Sequence, residues 1–376
     1  MRIAMLGGRG VPAHYSGSET CVEEVGARLA QRGHEVVVYC RRHNSQTDAK
    51  TYKGMRRVVL PSLNTKHFDT PSHTLIALLH NFATRPADVL HFHGVGNSLF
   101  LPWLKVMPGK TVVTVDGPDW ERPKWGRLAR RVLKTSARLA IGLADAIITD
   151  SLVSQRYCRD HFGKKTEYIP YGAHVIEVEA CDALAAYGLD RRGYILFVGR
   201  LVPDKGVHLL IEAFEGLQAD LNLVIVGDSP IFPDYVRRLK STRDPRVKFL
   251  GFVFGEPYRQ LCAHAYAYAQ PSLVEGTSPA LLAAMGAGNC VVVNSIPENL
   301  ETIGDAGLAY ARNDPVDLRR VLRALIDDPG MVDCYRARAQ QRVNDVDNWD
   351  TIALNHERLY QALLAGKVRA PQRVRP

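Results

Sequence analysis

The chain has 376 residues, of which 46% are hydrophobic and 23% are charged, and this composition excludes extensive intrinsic disorder. At roughly 100–200 residues per domain, the length indicates two domains. No stretch approaches the ~18 consecutive apolar residues of a membrane-spanning helix. The N-terminal segment 2–6 leads directly into Gly7-Gly8, and its apolar part is too short for the core of a signal peptide. We therefore expect a cytoplasmic protein.

The charge of the chain is unevenly distributed. The formal net charge is +9, and residues 1–180 alone carry 25 Lys and Arg against 16 Asp and Glu, so the rest of the chain is balanced. Such an asymmetry indicates that the first half faces nucleic acid, an anionic membrane surface or an acidic substrate.

The first half of the chain alternates short apolar strands with helices. Strands are predicted at the start of the chain (1–8) and at 35–40, 89–92, 111–115 and 146–149. An amphipathic helix is predicted at 19–32, closed by Gly33, and a basic helix at 125–143. Strand, glycine turn, helix and strand in succession are the unit of a parallel, doubly wound sheet.

The pattern restarts near residue 194. Strands are predicted at 194–198, 221–226, 247–250, 267–270 and 291–294, with a helix at 206–217 and further helices between. The fold class is therefore α/β, with two Rossmann-like domains in tandem that are linked near 171–182. Ligands of such a pair normally bind in a cleft at the carboxyl ends of both sheets. An amphipathic helix at 349–364 and a basic tail, expected to be disordered, follow.

The first glycine turn does not have the pattern of a dinucleotide site. Gly7-Gly8-Arg9-Gly10 lacks the GxGxxG spacing, and Arg41 stands where an acidic residue would hold a ribose. A nicotinamide enzyme is therefore not expected. Gly17 lies in a second glycine turn that opens a helix, where free N–H groups suit a phosphate or sugar oxygen.

Two cations follow the first strand of the second half. Arg200 and Lys205 lie beside Gly199 and Gly206, at the mouth of the predicted sheet. An Arg fork and a Lys point charge can bind a pyrophosphate without a metal. The alternative is a pair of solvated surface cations.

A polar loop precedes a helix predicted at 279–286. Thr277 or Ser278 can cap this helix, with Pro279 in its first position. Glu275, followed by Gly276, would then project into the cleft beside a helix N-terminus. The alternative is an ordinary exposed carboxylate.

The ordered set Gly17, Arg200, Lys205 and Glu275-Gly276 resembles the retaining glycosyltransferases of family 4, which have the GT-B fold. The resemblance covers nearly the whole chain. It implies two Rossmann-like doubly wound domains facing a central cleft, an acceptor-side domain at 1–175 and a nucleotide-sugar domain at 176–347. It also implies a C-terminal helix at 348–364 that crosses back to the first domain, before the tail at 365–376.

The resemblance also implies roles for individual residues. Arg200 and Lys205 would bind the donor diphosphate, and Glu275 would bind hydroxyls of the donor sugar. Gly17, Gly199, Gly276, Thr277 and Ser278 would complete the donor-binding set. Asp116 would position sugar, and His93, Trp120 and Lys124 would lie on the acceptor side.

Further segments are similar to the bacterial rhamnosyltransferase-type subgroup, which assembles capsule, O-antigen or cell-wall polysaccharide. These segments are residues 9–13, Glu19-Thr20, residues 115–117, Trp120, Lys124-Trp125 and residues 170–172. Three positions differ from the common family pattern. Ala283 replaces the second Glu of the E-x7-E motif, Ser16 replaces a glycine, and Asp116 replaces a frequent histidine, as it does in the subgroup.

No metal is expected. The seven cysteines are an odd set without a CxxC pair, which favours reduced thiols in the core over a zinc site or a disulfide framework. His91 and His93 alternate on a predicted strand and share one side, but no further ligand lies nearby. We favour the interpretation that one of them lines the cleft and contacts sugar.

A basic stretch at 122–138 interleaves cations with apolar residues. It is either a solvated helix face or an interfacial helix drawn to anionic lipid, as a peripheral enzyme on the inner face of the membrane would have. Nucleic acid is not expected as a partner because no known binding motif accompanies the charge.

We therefore predict transfer of a hexose, with L-rhamnose as the candidate, from a nucleoside-diphosphate sugar to a growing, lipid-linked bacterial glycan. No cofactor is expected. Two alternatives stay open: a nucleotide-sugar 2-epimerase of the same fold, and a non-catalytic sugar-nucleotide-binding partner.

Overall fold

The computed structural model describes residues 1–13, 17–45, 47–65, 67–115 and 126–367. The chain forms two compact units, the first from Met1–Tyr171 together with Trp349–Pro376 and the second from Gly172–Asn348. The boundary predicted at 175/176 falls earlier because residues 172–176 pair within the second unit. The backbone N–H of Ala173 donates to the carbonyl of Asp347 (2.7 Å), and that of Ile176 donates to the carbonyl of Gly286 (3.1 Å).

The first unit contains an eight-stranded sheet. Its strands are β1 (Arg2–Leu6), β2 (Glu35–Arg41), β3 (Thr51–Tyr52), β4 (Met55–Leu60), β5 (Val89–His93), β6 (Lys110–Val115), β7 (Ala146–Thr149) and β8 (Glu167–Tyr168). They lie in the order β3-β4-β2-β1-β5-β6-β7-β8, and every pair is parallel except β3 with β4. The strands β3, β4 and β8 were not predicted, because β3 and β8 have only two residues each and Arg56 and Arg57 interrupt the apolar run of β4.

Helices connect these strands, as parallel pairing requires. They are α1 (Gly17–Gln31), α2 (Asp69–Thr84), α3 (Leu101–Leu104), α4 (Arg127–Leu143) and α5 (Leu152–Phe162). Gly33 follows α1 with a φ of +85°, a conformation that glycine adopts without strain, and its N–H donates to Ala30. The predicted helix end is therefore confirmed.

The second unit contains a six-stranded, fully parallel sheet. Its strands are β9 (Tyr194–Val198), β10 (Asn222–Val226), β11 (Val247–Gly251), β12 (Ala267–Gln270), β13 (Cys290–Asn294) and β14 (Leu308–Tyr310). The order is β11-β10-β9-β12-β13-β14. The central strands are apolar and buried on both faces, as in sheets covered by helices on both sides.

Most helices of the second unit are short, and five of the eight begin with proline. They are α6 (Asp182–Ala185), α7 (Val207–Glu215), α8 (Pro233–Lys240), α9 (Gly255–Ala263), α10 (Pro279–Gly286), α11 (Pro297–Ile303), α12 (Pro315–Asp327) and α13 (Pro329–Asp345). Proline suits the first position of a helix because its missing N–H would have no partner there.

The last helix, α14 (Trp349–Leu364), belongs to the first unit and packs against α1. Glu357 accepts hydrogen bonds from Arg32 (2.6 Å) and pairs with His34 (2.7 Å). The hydroxyl of Tyr360 pairs with Nδ1 of His91 on β5 (2.7 Å). The predicted tail begins within the described residues, but residues 368–376 lie outside them.

Candidate functional site

The loops after β9 and β12 are held together at the carboxyl end of the second sheet. These strands are neighbours, and the N–H of Leu273 donates to the carbonyl of Asp204 (2.8 Å). Gly206 has a φ of +65°, and a Cβ at this position would collide with the carbonyl oxygen of Pro271. Glycine is therefore required here for both conformation and close approach. This contact fixes the position of Lys205 relative to the loop that carries Glu275.

Lys205 and Glu275 form an ion pair in which the ammonium group donates to Oε1 of the carboxylate. Both side chains are largely shielded, with 18% and 10% of their surface exposed. The same Oε1 accepts hydrogen bonds from Nε2 of Gln270 (2.8 Å) and from the hydroxyl of Ser272 (2.7 Å). The alternative of an ordinary exposed carboxylate is therefore wrong for Glu275.

Gln270 is a buried residue that the sequence analysis did not identify. Its Oε1 accepts from the hydroxyl of Tyr268 (2.8 Å), which fixes its amide with Nε2 directed at Glu275. Nε2 also lies 3.2 Å from the hydroxyl of Ser278. Because Gln270 is the last residue of β12, the sheet itself orients the Glu275 carboxylate.

The N-terminus of α10 lies directly after this loop. The hydroxyl of Ser278 accepts from the N–H of Leu281 (3.4 Å), so Ser278 is the capping residue, and Pro279 follows in the first helical position. Gly276 and Thr277 form the partly buried turn between Glu275 and the cap. The unpaired N–H groups of a helix start, with the helix dipole, favour an anion.

Arg200 stands at the end of β9. The backbone N–H of the preceding Gly199 donates to the carbonyl of Val226 (3.0 Å), which ties this turn to β10. The Arg200 side chain is exposed and forms no ion pair with any described residue. Its guanidinium is therefore available to a ligand, whereas the Lys205 ammonium must exchange one partner for another.

A second carboxylate, Glu298 at the start of α11, lies close enough to Glu275 to interact with it electrostatically. Burial, followed by the negative charges of Glu275 and Glu301, raises the pKa of Glu298 above its usual range. The first turn of α11, which follows β13, therefore supplies an acidic group near the site, whereas α10 has Ala283 at the position of the family's second Glu. The sequence analysis did not identify Glu298.

The corresponding turn of the first unit contains Gly7 and Gly10, both with positive φ. A Cβ at Gly10 would lie 2.6 Å from Sγ of Cys40, so this glycine permits the turn to pack against β2. Arg9 lies 3.7 Å from the buried carboxylate of Glu19 in α1. Gly17 is the first residue of α1 and is partly buried.

The two histidines of β5 have different environments. His91 is fully buried, and its Nε2 pairs with the hydroxyl of Thr114 (2.7 Å) while its Nδ1 pairs with Tyr360. His93 is 7% exposed at the strand end, and its Nε2 has no partner among the described residues. Burial lowers the pKa of His93 to about 3, so the ring is neutral. Of the two, only His93 can offer a ring nitrogen to a ligand.

Three predicted site residues, Asp116, Trp120 and Lys124, lie outside the described residues. Among the residues that are described, no group of His, Cys, Asp or Glu has the arrangement of a metal site. All seven cysteines are free, five of them are buried, and burial raises the pKa of Cys158 to about 11. Cys334 is exposed, in contrast to the expected core position.

Two family models match the chain, one in each half. The model for Glycosyltransferase Family 4 matches residues 15–175, and the model for Glycosyl transferases group 1 matches residues 192–328. The second match contains the Lys205–Glu275 pair and the cap of α10. The chain belongs to the glycosyltransferases.

Named relatives of this glycosyltransferase include the O-antigen chain mannosyltransferase B of Escherichia coli. It is 29% identical over 225 residues, which cover 57% of this chain and 55% of the relative. The chain therefore spans about half the length of that protein. A glycogen synthase of Mycobacterium tuberculosis is 26% identical over 413 residues, which cover 99% of this chain and 97% of the relative.

Solved structures show that the glycosyltransferase has the GT-B fold. The sucrose-phosphate synthase of Thermosynechococcus elongatus matches with a TM-score of 0.83 and 20% identity, over 97% of this chain and 99% of that one. HepE of Anabaena, solved in complex with UDP-glucose, matches with a TM-score of 0.77 and 20% identity, over 96% and 100%. Among the described residues, no helix of the glycosyltransferase is both long and apolar enough to cross a bilayer.

Proposed function

We propose that the enzyme transfers a hexose, with retention of the anomeric configuration, from a nucleoside-diphosphate sugar to a growing, lipid-linked bacterial polysaccharide. The observation that carries this proposal is that Lys205, Glu275 and the N-terminus of α10 lie together at the carboxyl end of the second sheet. The cation and the helix start suit the anionic diphosphate of such a donor, and the carboxylate suits the hydroxyls of its sugar.

The charge of the donor explains the cationic groups. When the bond between C1 of the sugar and the diphosphate breaks, negative charge develops on the leaving diphosphate. Arg200, Lys205 and the helix start after Ser278 would stabilise that charge, a type of contribution that is often worth ~100-fold or more in rate. The UDP-sugar bound by the Anabaena protein of the same fold supports a nucleoside diphosphate as the leaving group.

The hydroxyls of the sugar would bind Glu275. The carboxylate accepts from Lys205, Gln270 and Ser272 through the same oxygen, Oε1. Its second oxygen can therefore accept from sugar hydroxyls while the sheet holds the group in place. Glu275 binds and orients in this proposal and is not a nucleophile.

The remaining roles follow from the family resemblance. Asp116 would position the sugar, His93, Trp120 and Lys124 would contact the acceptor, and the leaving phosphate would take the acceptor proton. Gly17 would approach the ligand by its backbone. L-rhamnose is the proposed sugar because of the similarity to the rhamnosyltransferase-type subgroup. The enzyme would act at the cytoplasmic side, where nucleotide sugars are made, and without a metal.

The test is a binding and hydrolysis screen of nucleoside diphosphates and their sugars. We expect a rise in the melting temperature with a diphosphate, and loss of that rise in Arg200→Ala but not in Arg237→Ala, an exposed cation of the same unit. Hydrolysis of the donor and transfer to a lipid-linked acceptor should persist in EDTA. A loss of turnover that Mg²⁺ or Mn²⁺ restores, or release of an epimerised sugar, would contradict the proposal.

A further inference from the structure

Helix α4 exposes many cations to solvent and no anion. It carries no acidic residue, and its five cations are all exposed. None of the five forms an ion pair with a described residue. These cations are Arg127, Arg130, Arg131, Lys134 and Arg138.

The same helix also exposes apolar side chains beside its cations. Leu128 and Val132, one turn apart, are 76% and 43% exposed. The face that packs into the unit is a different one, formed by Ala137, Ala140 and Ile141 in the hydrophobic core. The exposed apolar pair is therefore not part of the core face.

A second exposed apolar segment lies next to α4. Helix α3 packs against α4, and the segment from α3 onwards exposes Trp103 (62%), Val106 (85%) and Met107 (44%). Lys105 is exposed among them. Large apolar residues clustered on a surface and bordered by charge usually mark an interaction site.

We propose that these two segments together form a docking surface for an anionic lipid bilayer. The basic-apolar surface consists of the five cations of α4, Leu128, Val132, Trp103, Val106 and Met107. Its cations match the phosphates of anionic headgroups, and its apolar side chains match the boundary between headgroups and acyl chains. Nucleic acid fits less well, because a phosphate backbone offers no partner for Val106 or Leu128.

The cations and the apolar residues have separate roles. The cations draw the first unit to the surface through a long-range attraction that salt screens, with a Debye length of ~10 Å at 0.1 M and ~3 Å at 1 M. The apolar side chains then insert, and this contribution does not depend on salt.

The test is co-sedimentation of the whole protein with vesicles, without any sugar donor. We expect binding to vesicles of phosphatidylcholine with phosphatidylglycerol and little binding to phosphatidylcholine alone. Changing Arg127, Arg130, Arg131 and Lys134 to Glu together should weaken binding by at least ~100-fold, because four attractions to anionic headgroups become repulsions. Reversing Arg191, Arg237, Lys240 and Arg243, exposed cations of the second unit, changes the net charge equally and should have little effect.

The apolar part is tested with Trp103→Ser combined with Val106→Ser. This variant should bind anionic vesicles more weakly, and its remaining binding should be lost in 1 M salt. Equal binding to neutral and anionic vesicles, or full binding by the α4 reversal variant, would overturn the proposal. Retention on a nucleic-acid duplex but not on vesicles would also overturn it. Because no donor is present, these outcomes are independent of the proposed transfer reaction.

Discussion

The ammonium group of Lys205 donates to the carboxylate of Glu275, although the two residues lie on different loops, after β9 and β12. A ligand that takes Lys205 for its phosphates must therefore loosen or share this ion pair. The hydrogen bonds from Gln270 and Ser272 to the same carboxylate oxygen do not depend on the lysine, so they would keep Glu275 in place if Lys205 turned towards a phosphate.

Removing either cation of the site should reduce catalysis. We expect Arg200→Ala and Lys205→Ala each to lower kcat/KM by at least ~100-fold, because each removes a partner of the charge that develops on the diphosphate. Steady-state kinetics with the preferred donor measure this loss, and Lys240→Ala is the control, an exposed lysine of the same unit. Turnover within a few-fold of wild type in either site variant would remove that cation from the mechanism.

Gly206 should be among the most sensitive glycines of the second unit. Gly206→Ala forces a non-glycine residue into a φ of +65° and places its Cβ against the carbonyl of Pro271. We expect a loss of about 3 kcal/mol or more in the free energy of unfolding. Gly251→Ala, at a φ of +68° with no atom within 4 Å of its Cβ, should lose only about 1 kcal/mol. Urea unfolding compares the two, and equal losses would show that the close approach has no cost.

Asp347 should destabilise the fold at neutral pH. Burial raises its pKa from 3.8 to about 6, and Oδ2 has no hydrogen-bond partner among the described residues. Because the folded state keeps this proton longer than the unfolded state, the contribution to stability falls as the pH rises from 4 to 6.

Asp347→Asn removes this titration. The variant should match wild type near pH 4 and be more stable at pH 7 by about 3 kcal/mol. Thermal unfolding across this range measures the difference. An advantage that is constant with pH would mean that the carboxyl group does not titrate as the structure indicates.

Ala283 should relax recognition of the ribose. In the family, a carboxylate here commonly holds the ribose, and a hydrogen bond to a charged group is worth about 1.5–3 kcal/mol. We expect a deoxythymidine-diphosphate sugar to bind at least as well as its uridine counterpart, and Ala283→Glu to shift preference towards uridine. Calorimetric Kd values for both diphosphates decide this. A strong wild-type preference for the ribonucleotide would mean that another residue, such as Glu298, reads the ribose.

The sequence predicted the two parallel sheets well because buried parallel strands are continuous apolar runs that end in glycine turns. It also predicted a site at Arg200, Lys205 and Glu275, which follow such strands. It did not reveal that Lys205 and Glu275 contact each other, since that depends on the adjacency of β9 and β12. Gln270 was missed because a polar residue at the end of an apolar strand has no distinctive pattern. Glu298 was missed because the first turn of α11 carries no recognisable motif.

The hydrogen bond between Tyr360 and His91 joins residues 269 positions apart. The first unit is therefore assembled from both ends of the described chain, with the whole second unit made between them. All of the second unit is synthesised while the first still lacks α14. During that interval His91 and the face of α1 that α14 covers have no native cover. Because the second unit is one continuous segment, it can fold without a distant part of the chain, whereas the first unit is complete only once its last helix has been made.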